Sequence, residues 1–318
     1  MQRNYSIDSL KAVCAILVVF LHAKYVYQSA IIPLARCAVP CFFMISGYLL
    51  YKSGGIGTER LKRSIRHILK ICVWATLLFV VWQAVFGVLT NDPLSFPSVR
   101  TMIVWVVFNQ CPFGFHLWYL YAYLYVLLIV YVIDKHKKWK WLFISAPILL
   151  LASVVFYVLP FLHIELPLVC HRNFIFVGLP YFTMGALMKE LWTKQLPNKL
   201  NIFGIILFAT TSIIESVIWA KFGIDRGPET YLSTPLLSLS LFLLFLSLKE
   251  TKPTWLSRNG ERDSLYIYIL HPIFFNILTL LFMRRGWQHI YSLISPFVIY
   301  VFTLAAIIIL RKIKVLKS

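Results

Sequence analysis

The stretch Ile7-Asp8-Ser9-Leu10-Lys11-Ala12-Val13-Cys14-Ala15-Ile16-Leu17-Val18-Val19-Phe20-Leu21-His22 holds ten consecutive apolar residues between Lys11 and His22. A helix at the surface of a soluble domain keeps a polar face opposite its apolar stripe. This one keeps none, so it is read as a helix that spans a bilayer, over Leu10–Gln28. Its apolar run follows Asp8 and Lys11 and meets no small-residue cleavage pattern, so it is expected to be a retained helix and not a signal peptide.

Outward from this stretch the same pattern recurs. Further spans are expected over Leu34–Tyr51, His67–Leu89, Leu117–Ile133, Trp141–Leu159 and Phe174–Leu191, then Leu200–Trp219, Tyr231–Leu248, Ser264–Phe282 and Tyr291–Leu310. The segment Val99–Phe108 is too short to cross and reads as interfacial or re-entrant. Composition agrees: 60% of the 318 residues are apolar, 14% are charged, and mean hydropathy is +0.77. Soluble domains sit near roughly 45–50% apolar and about 25% charged. Six cysteines are too few for a disulfide scaffold, and none has metal-ligand spacing, so no metal is expected. The fold class is an all-α integral membrane protein of about ten helices in a single domain, 1–318.

The net charge of +19 does not point to nucleic acid, because no basic stripe with interleaved aromatics lies on a soluble face. The cations instead alternate between loops. With a cytoplasmic N-terminus, 23 Lys and Arg fall on the cytoplasmic side and 8 on the other, following the positive-inside rule with both termini cytoplasmic. The longest connections, Thr90–His116 and Pro160–Asn173, then lie outside. They carry Cys111 and Cys170, which are either a disulfide pair or two unrelated thiols.

Ionisable groups within spans cost about 2.5–3.5 kcal/mol each on insertion scales, so each needs a reason. Lys11 and His22 are eleven residues apart, so they share a helix face about 16–17 Å apart along the axis. Asp8, three residues before Lys11, lies on that face and can pair with it. The result is a polar stripe from the cytoplasmic interface to an imidazole near mid-span. Singly, Lys11 reads as a snorkelling cation and His22 as a packing residue; the alignment of three favours a functional reading. Arg36 opens the second span, where Pro40 is expected to kink the helix. Ser46-Gly47 suggests close helix packing. Glu215 has no cation near it in sequence and is expected to be neutral or paired with a cation from another helix. His116 lies in an aromatic belt, and His271 precedes Pro272 inside the ninth span.

These positions resemble motifs of the membrane acyltransferase-3 family. Ile7-Asp8-Ser9-Leu10-Lys11 with Leu21-His22 is similar to the family's first-helix motif, in which a basic residue (usually Arg, here Lys11) precedes a catalytic His. Val39-Pro40-Cys41-Phe42-Phe43 with Ser46-Gly47-Tyr48 is similar to its second-helix motif. His116-Leu117-Trp118-Tyr119-Leu120, Arg172-Asn173 with Pro180-Tyr181-Phe182, and Ser264-Leu265-Tyr266 with Leu270-His271-Pro272 resemble later signatures.

The resemblance implies an O-acyltransferase of the bacterial inner membrane, which moves an acetyl or similar group from cytoplasmic acyl-CoA to a hydroxyl of a cell-envelope glycan or lipid-linked sugar. It implies His22 as general base, with Arg36 and His116 as candidates for acceptor binding or oxyanion stabilisation. Lys11 would guide the CoA arm, and Arg60, Arg63 and Arg66 would bind CoA phosphates, although positive-inside topology alone also explains those arginines. Trp105, Trp118 and Tyr119 either stack on sugar faces or form an interfacial belt. The alternative is a transporter or flippase that uses Asp8, Lys11, His22 and Glu215 as a relay without acyl chemistry. The absence of a twofold hydropathy repeat weighs against it.

Overall fold

A computed structural model describes residues 4–191, 197–223, 229–248 and 250–316. Arg3, Lys194, Arg226, Lys249 and Lys317, which entered the charge count, lie outside the described residues. The first helices are α1 (Tyr5–His22), α2 (Gln28–Ala35), α3 (Ala38–Leu50), α4 (Thr58–Thr90) and α5 (Val99–Phe108). They are followed by α6 (Trp118–Lys135), α7 (Trp139–Val158), α8 (Leu168–His171), α9 (Leu179–Leu191) and α10 (Asn198–Lys221). The chain closes with α11 (Thr234–Leu248), α12 (Trp255–Arg262), α13 (Ser264–Arg284) and α14 (Gln288–Lys312). Among the described residues there is no strand, only an isolated bridge between Lys52 and Gly55.

Nine helical runs among the described residues are long and apolar enough to cross a membrane. The protein is therefore an all-helical multi-pass membrane protein. The tenth span, expected over Tyr231–Leu248, is the fifteen-residue α11, which starts three residues late. The reason is local: Leu232 and Ser233 donate their backbone amides to Glu215 instead of continuing a helix. Val99–Phe108 is a ten-residue helix, α5, with no buried residue.

Two further departures bear on the site. The first helix ends at His22, not Gln28. Ala23 turns extended, and the following turn is tied to α14, with Ser295 Oγ donating to the Lys24 carbonyl at 2.7 Å and Val26 N donating to the Ser292 carbonyl at 3.0 Å. His22 thus closes its helix and does not sit mid-span. The second expected span is broken at Arg36–Cys37, ahead of Pro40. Pro40 falls in the first turn of α3, where an amide has no helical acceptor anyway, so it starts a helix and kinks nothing.

The chain divides into two compact units, the described residues of Met1–Ile45 with Lys194–Ser318, and Ser46–Thr193. In the first, α1 packs along α12 and α13, and α10 along α11 and α2. Gly260 of α12 meets the backbone of Asp8, and a Cβ there would run into the Asp8 carbonyl. Further along, His271 of α13 meets His22 of α1, so α12–α13 and α1 run in the same direction.

In the second unit α4 packs on α6 and α7 on α9. Gly47 lies so close to α9 that a Cβ would run into the Phe182 carbonyl, as the Ser46-Gly47 reading anticipates. Asp134 at the end of α6 accepts from Ile56 N (2.7 Å), Gly57 N (3.0 Å) and Trp139 Nε1 (2.8 Å), which fixes the turn leading into α4.

Candidate active site

In the first unit the polar stripe is built from the start of α1. Asn4 caps the helix by accepting from Ser6 N at 3.0 Å. Lys11 Nζ lies 2.9 Å from Asp8 Oδ1, the pairing the three-residue spacing predicts. The Asp8 side chain is only 7% exposed and Lys11 24%, so the pair is shielded from one side. That shield is α12, pressed onto Asp8 through Gly260. A further carboxylate, Glu250, ties down the same end: Ser9 Oγ donates to it at 3.1 Å, its own amide donates to Ser6 Oγ at 2.8 Å, and Tyr5 N donates to its carbonyl at 3.0 Å.

Because α1 is one uninterrupted helix from Tyr5 to His22, Lys11 and His22 do share a face, about 16–17 Å apart along the axis. His22 is half-buried in the last turn, where the helix carbonyls lack helical donors and the macrodipole is negative. Its ring stacks on that of His271, with centroids 5.1 Å apart and planes 24° from parallel. His271 is completely buried and its Nδ1 lies 3.0 Å from the Ile267 carbonyl. The same unit therefore joins two of the sequence candidates, one on the first helix and one beside a proline on α13.

Arg36 sits at the joint between α2 and α3, and its Nη1 donates to Glu229 Oε2 at 2.7 Å. Both side chains are under one-fifth exposed. Glu215 pairs with no cation among the described residues: Oε2 accepts from Leu232 N at 2.7 Å and Oε1 from Ser233 N at 3.1 Å. Orphan amides ahead of a helix are a natural partner for a carboxylate. Glu215 is thereby committed to capping α11.

In the second unit His116 lies in the turn Phe115–Leu117, is 1% exposed, and meets the Phe79 ring edge to face at 4.6 Å. Arg172 follows α8, and its carbonyl accepts from Asn109 Nδ2 at 3.2 Å and Gln110 Nε2 at 2.6 Å. Ser46 lies in α3, one residue before the Gly47 contact with α9. Arg60, Arg63 and Arg66 lie in the first turns of α4. Arg60 donates to the Leu49 carbonyl at 2.9 Å, while Arg63 and Arg66 are exposed. Among the described residues no group of three His, Cys, Asp or Glu could hold a metal, and the six cysteines, Cys111 and Cys170 included, are free thiols.

Sequence reasoning missed Glu229, Glu250 and Gly260. The first two sit in polar connections with no periodicity, and Gly260 lies on an eight-residue helix, too short to register a period. The one local signal was the Thr254-Trp255-Leu256-Ser257 run, which forms a capping box at the start of α12.

A family profile described as an acyltransferase domain, acyltransferase-3, matches residues 4–311. The chain is also 26% identical over 298 residues to a serine/alanine racemase of Enterococcus gallinarum, covering 85% of this chain and 40% of the racemase. It thus spans about two fifths of the length of that curated relative. No solved structure matches. With its family signature running across both units and nine membrane-length helical runs among the described residues, the chain belongs to the acyltransferase-3 family and is a multi-pass membrane protein.

Proposed function

We propose that this protein is an O-acyltransferase of the bacterial inner membrane that moves an acetyl group from cytoplasmic acetyl-CoA to a hydroxyl of an envelope glycan or lipid-linked sugar. The observation that carries the reading is the half-buried imidazole of His22 closing α1, on the same helix face as the shielded Asp8–Lys11 pair. A sugar hydroxyl titrates far above neutral pH and needs a base. His22 takes the hydroxyl proton as the oxygen attacks the thioester carbonyl. The new C–O bond forms, the C–S bond breaks, and the proton passes from His22 to the departing CoA sulfur. No covalent acyl-enzyme is required.

Lys11 stands at the opposite end of the stripe, where it would attract the anionic CoA arm. Arg63 and Arg66, exposed on α4, suit phosphate, and Arg60 beside them adds a third guanidinium. Arg36 would act on the acceptor only by giving up Glu229, and His116 would act from an aromatic enclosure. The transporter reading loses one member of its relay, because the Glu215 carboxylate is engaged by two backbone amides.

The test is acetyl-CoA turnover by the purified protein in lipid nanodiscs with envelope glycan as acceptor, the product read as a 42 Da mass gain. His22→Ala should lower turnover by about 10²–10⁴-fold, the usual worth of a general base, with membrane expression unchanged. Turnover close to wild type in that variant removes His22 from the chemistry, and no turnover by the wild type with any envelope glycan favours transport.

A further inference from the structure

Among the side chains gathered around α1, His271 has no role in the proposed chemistry. It is fully buried in α13, yet it lies ring to ring with the half-buried His22. Its surroundings fix its protonation pattern. Nδ1 faces the Ile267 carbonyl at 3.0 Å, and a carbonyl only accepts, so Nδ1 carries the hydrogen. That hydrogen bond to its own helix holds the ring in one orientation.

A ring held at one edge by its own helix presents a fixed face. That face is 5.1 Å from the His22 ring centroid and 24° from parallel. His22 ends its helix and is followed by extended backbone.

The geometry points to His271 as the positioning residue for His22: its stacked ring fixes the plane of the catalytic imidazole and supplies a π face to the imidazolium formed when His22 takes up the acceptor's proton. The inference rests on the acyl-transfer reading, with His22 as base. His271 touches neither substrate in this scheme. It acts through orientation and through the attraction of a cation for a ring face, so its loss reduces kcat and leaves substrate affinity alone.

Three substitutions separate the stack from the hydrogen bond. His271→Phe keeps a flat ring and loses the Nδ1 donor; His271→Asn keeps a donor at the same position and loses the ring; His271→Ala loses both. The expectation is that kcat falls at least tenfold in His271→Ala and His271→Asn, and recovers to within about threefold of wild type in His271→Phe, with KM for acetyl-CoA and for the glycan within twofold throughout.

A second measurement reads the stack without any turnover. Diethyl pyrocarbonate modification of the His22 peptide, followed by mass spectrometry, should be several-fold faster in His271→Ala and His271→Asn than in wild type or His271→Phe. Equal modification rates across all four proteins, kcat of His271→Ala within twofold of wild type, or rescue by Asn as complete as by Phe each overturn the inference. Should His271→Ala fail to reach the membrane, the Phe and Asn variants decide it. Wild-type kcat in His22→Ala would instead remove His22 as the base, and no turnover by the wild type would overturn the acyl-transfer reading, while the modification rates would still report the stack.

Discussion

A carboxylate inside a membrane helix needs a proton, a cation or donors, and Glu215 takes the third course. Two backbone amides ahead of α11 supply charge-assisted hydrogen bonds, the stronger kind. Removing the acceptor leaves both amides to find other partners, at a cost of about 1–3 kcal/mol for a poorly solvated group. Glu215→Ala should therefore lower the thermal midpoint in detergent by several degrees, and Glu215→Gln, which keeps one strong acceptor, by roughly half as much. Acetyl transfer per folded molecule should stay unchanged in both. A loss of turnover without a loss of stability would place Glu215 in the reaction instead. The same scale holds the contrast between Glu215 and Arg36: the sequence singles out both as charges in or beside spans, but their partners are a helix start and a distant loop carboxylate, Glu229, neither of which has any local signature.

At the scale of elements, the spans were legible because lipid imposes a long apolar run on each, and α4, α6, α7, α10, α13 and α14 all coincide with such runs. Their ends were not. The early stop at His22 depends on α14 capturing the next turn through Ser292 and Ser295, and the break at Arg36–Cys37 falls where a single charge interrupts an otherwise apolar stretch. The polar stripe was legible as a spacing on one helix; the His22–His271 stack was not, since it depends on how α13 lies against α1. The element that sequence alone hid, α12, is also the one with the tightest contact. Gly260 has no room for a Cβ against the Asp8 carbonyl. Gly260→Ala must push α12 away from α1 and uncover the Asp8–Lys11 pair, with an overpacking cost of about 1–3 kcal/mol. The expected outcome is a lower thermal midpoint together with a raised KM for acetyl-CoA, since the cation at the base of the stripe shifts with its partner. A variant that is destabilised but has an unaltered KM would separate α12 from donor binding.

For the molecule as a whole, direction matters more than shape: in the proposed reaction the donor meets the stripe from the Lys11 end and the acceptor from the His22 end. The charge count assigns the Lys11 end to the cytoplasm and places the loops with Cys111 and Cys170 outside. The cysteines make that orientation measurable. Cys14, Cys37, Cys41, Cys72 and Cys111 are buried, whereas Cys170 is half-exposed. Burial also pushes the Cys111 thiol above its ordinary range, although amide and hydroxyl donors around it pull the other way, so it supplies little reactive thiolate. A membrane-impermeant maleimide added to intact cells should therefore label the protein once, at Cys170, and Cys170→Ser should abolish the label. Labelling that appears only after the membrane is opened would invert the chain and put His22 on the cytoplasmic side. The proposed route, with a thioester entering from the cytoplasm and a glycan from outside, would then have its two substrates at the wrong ends of α1.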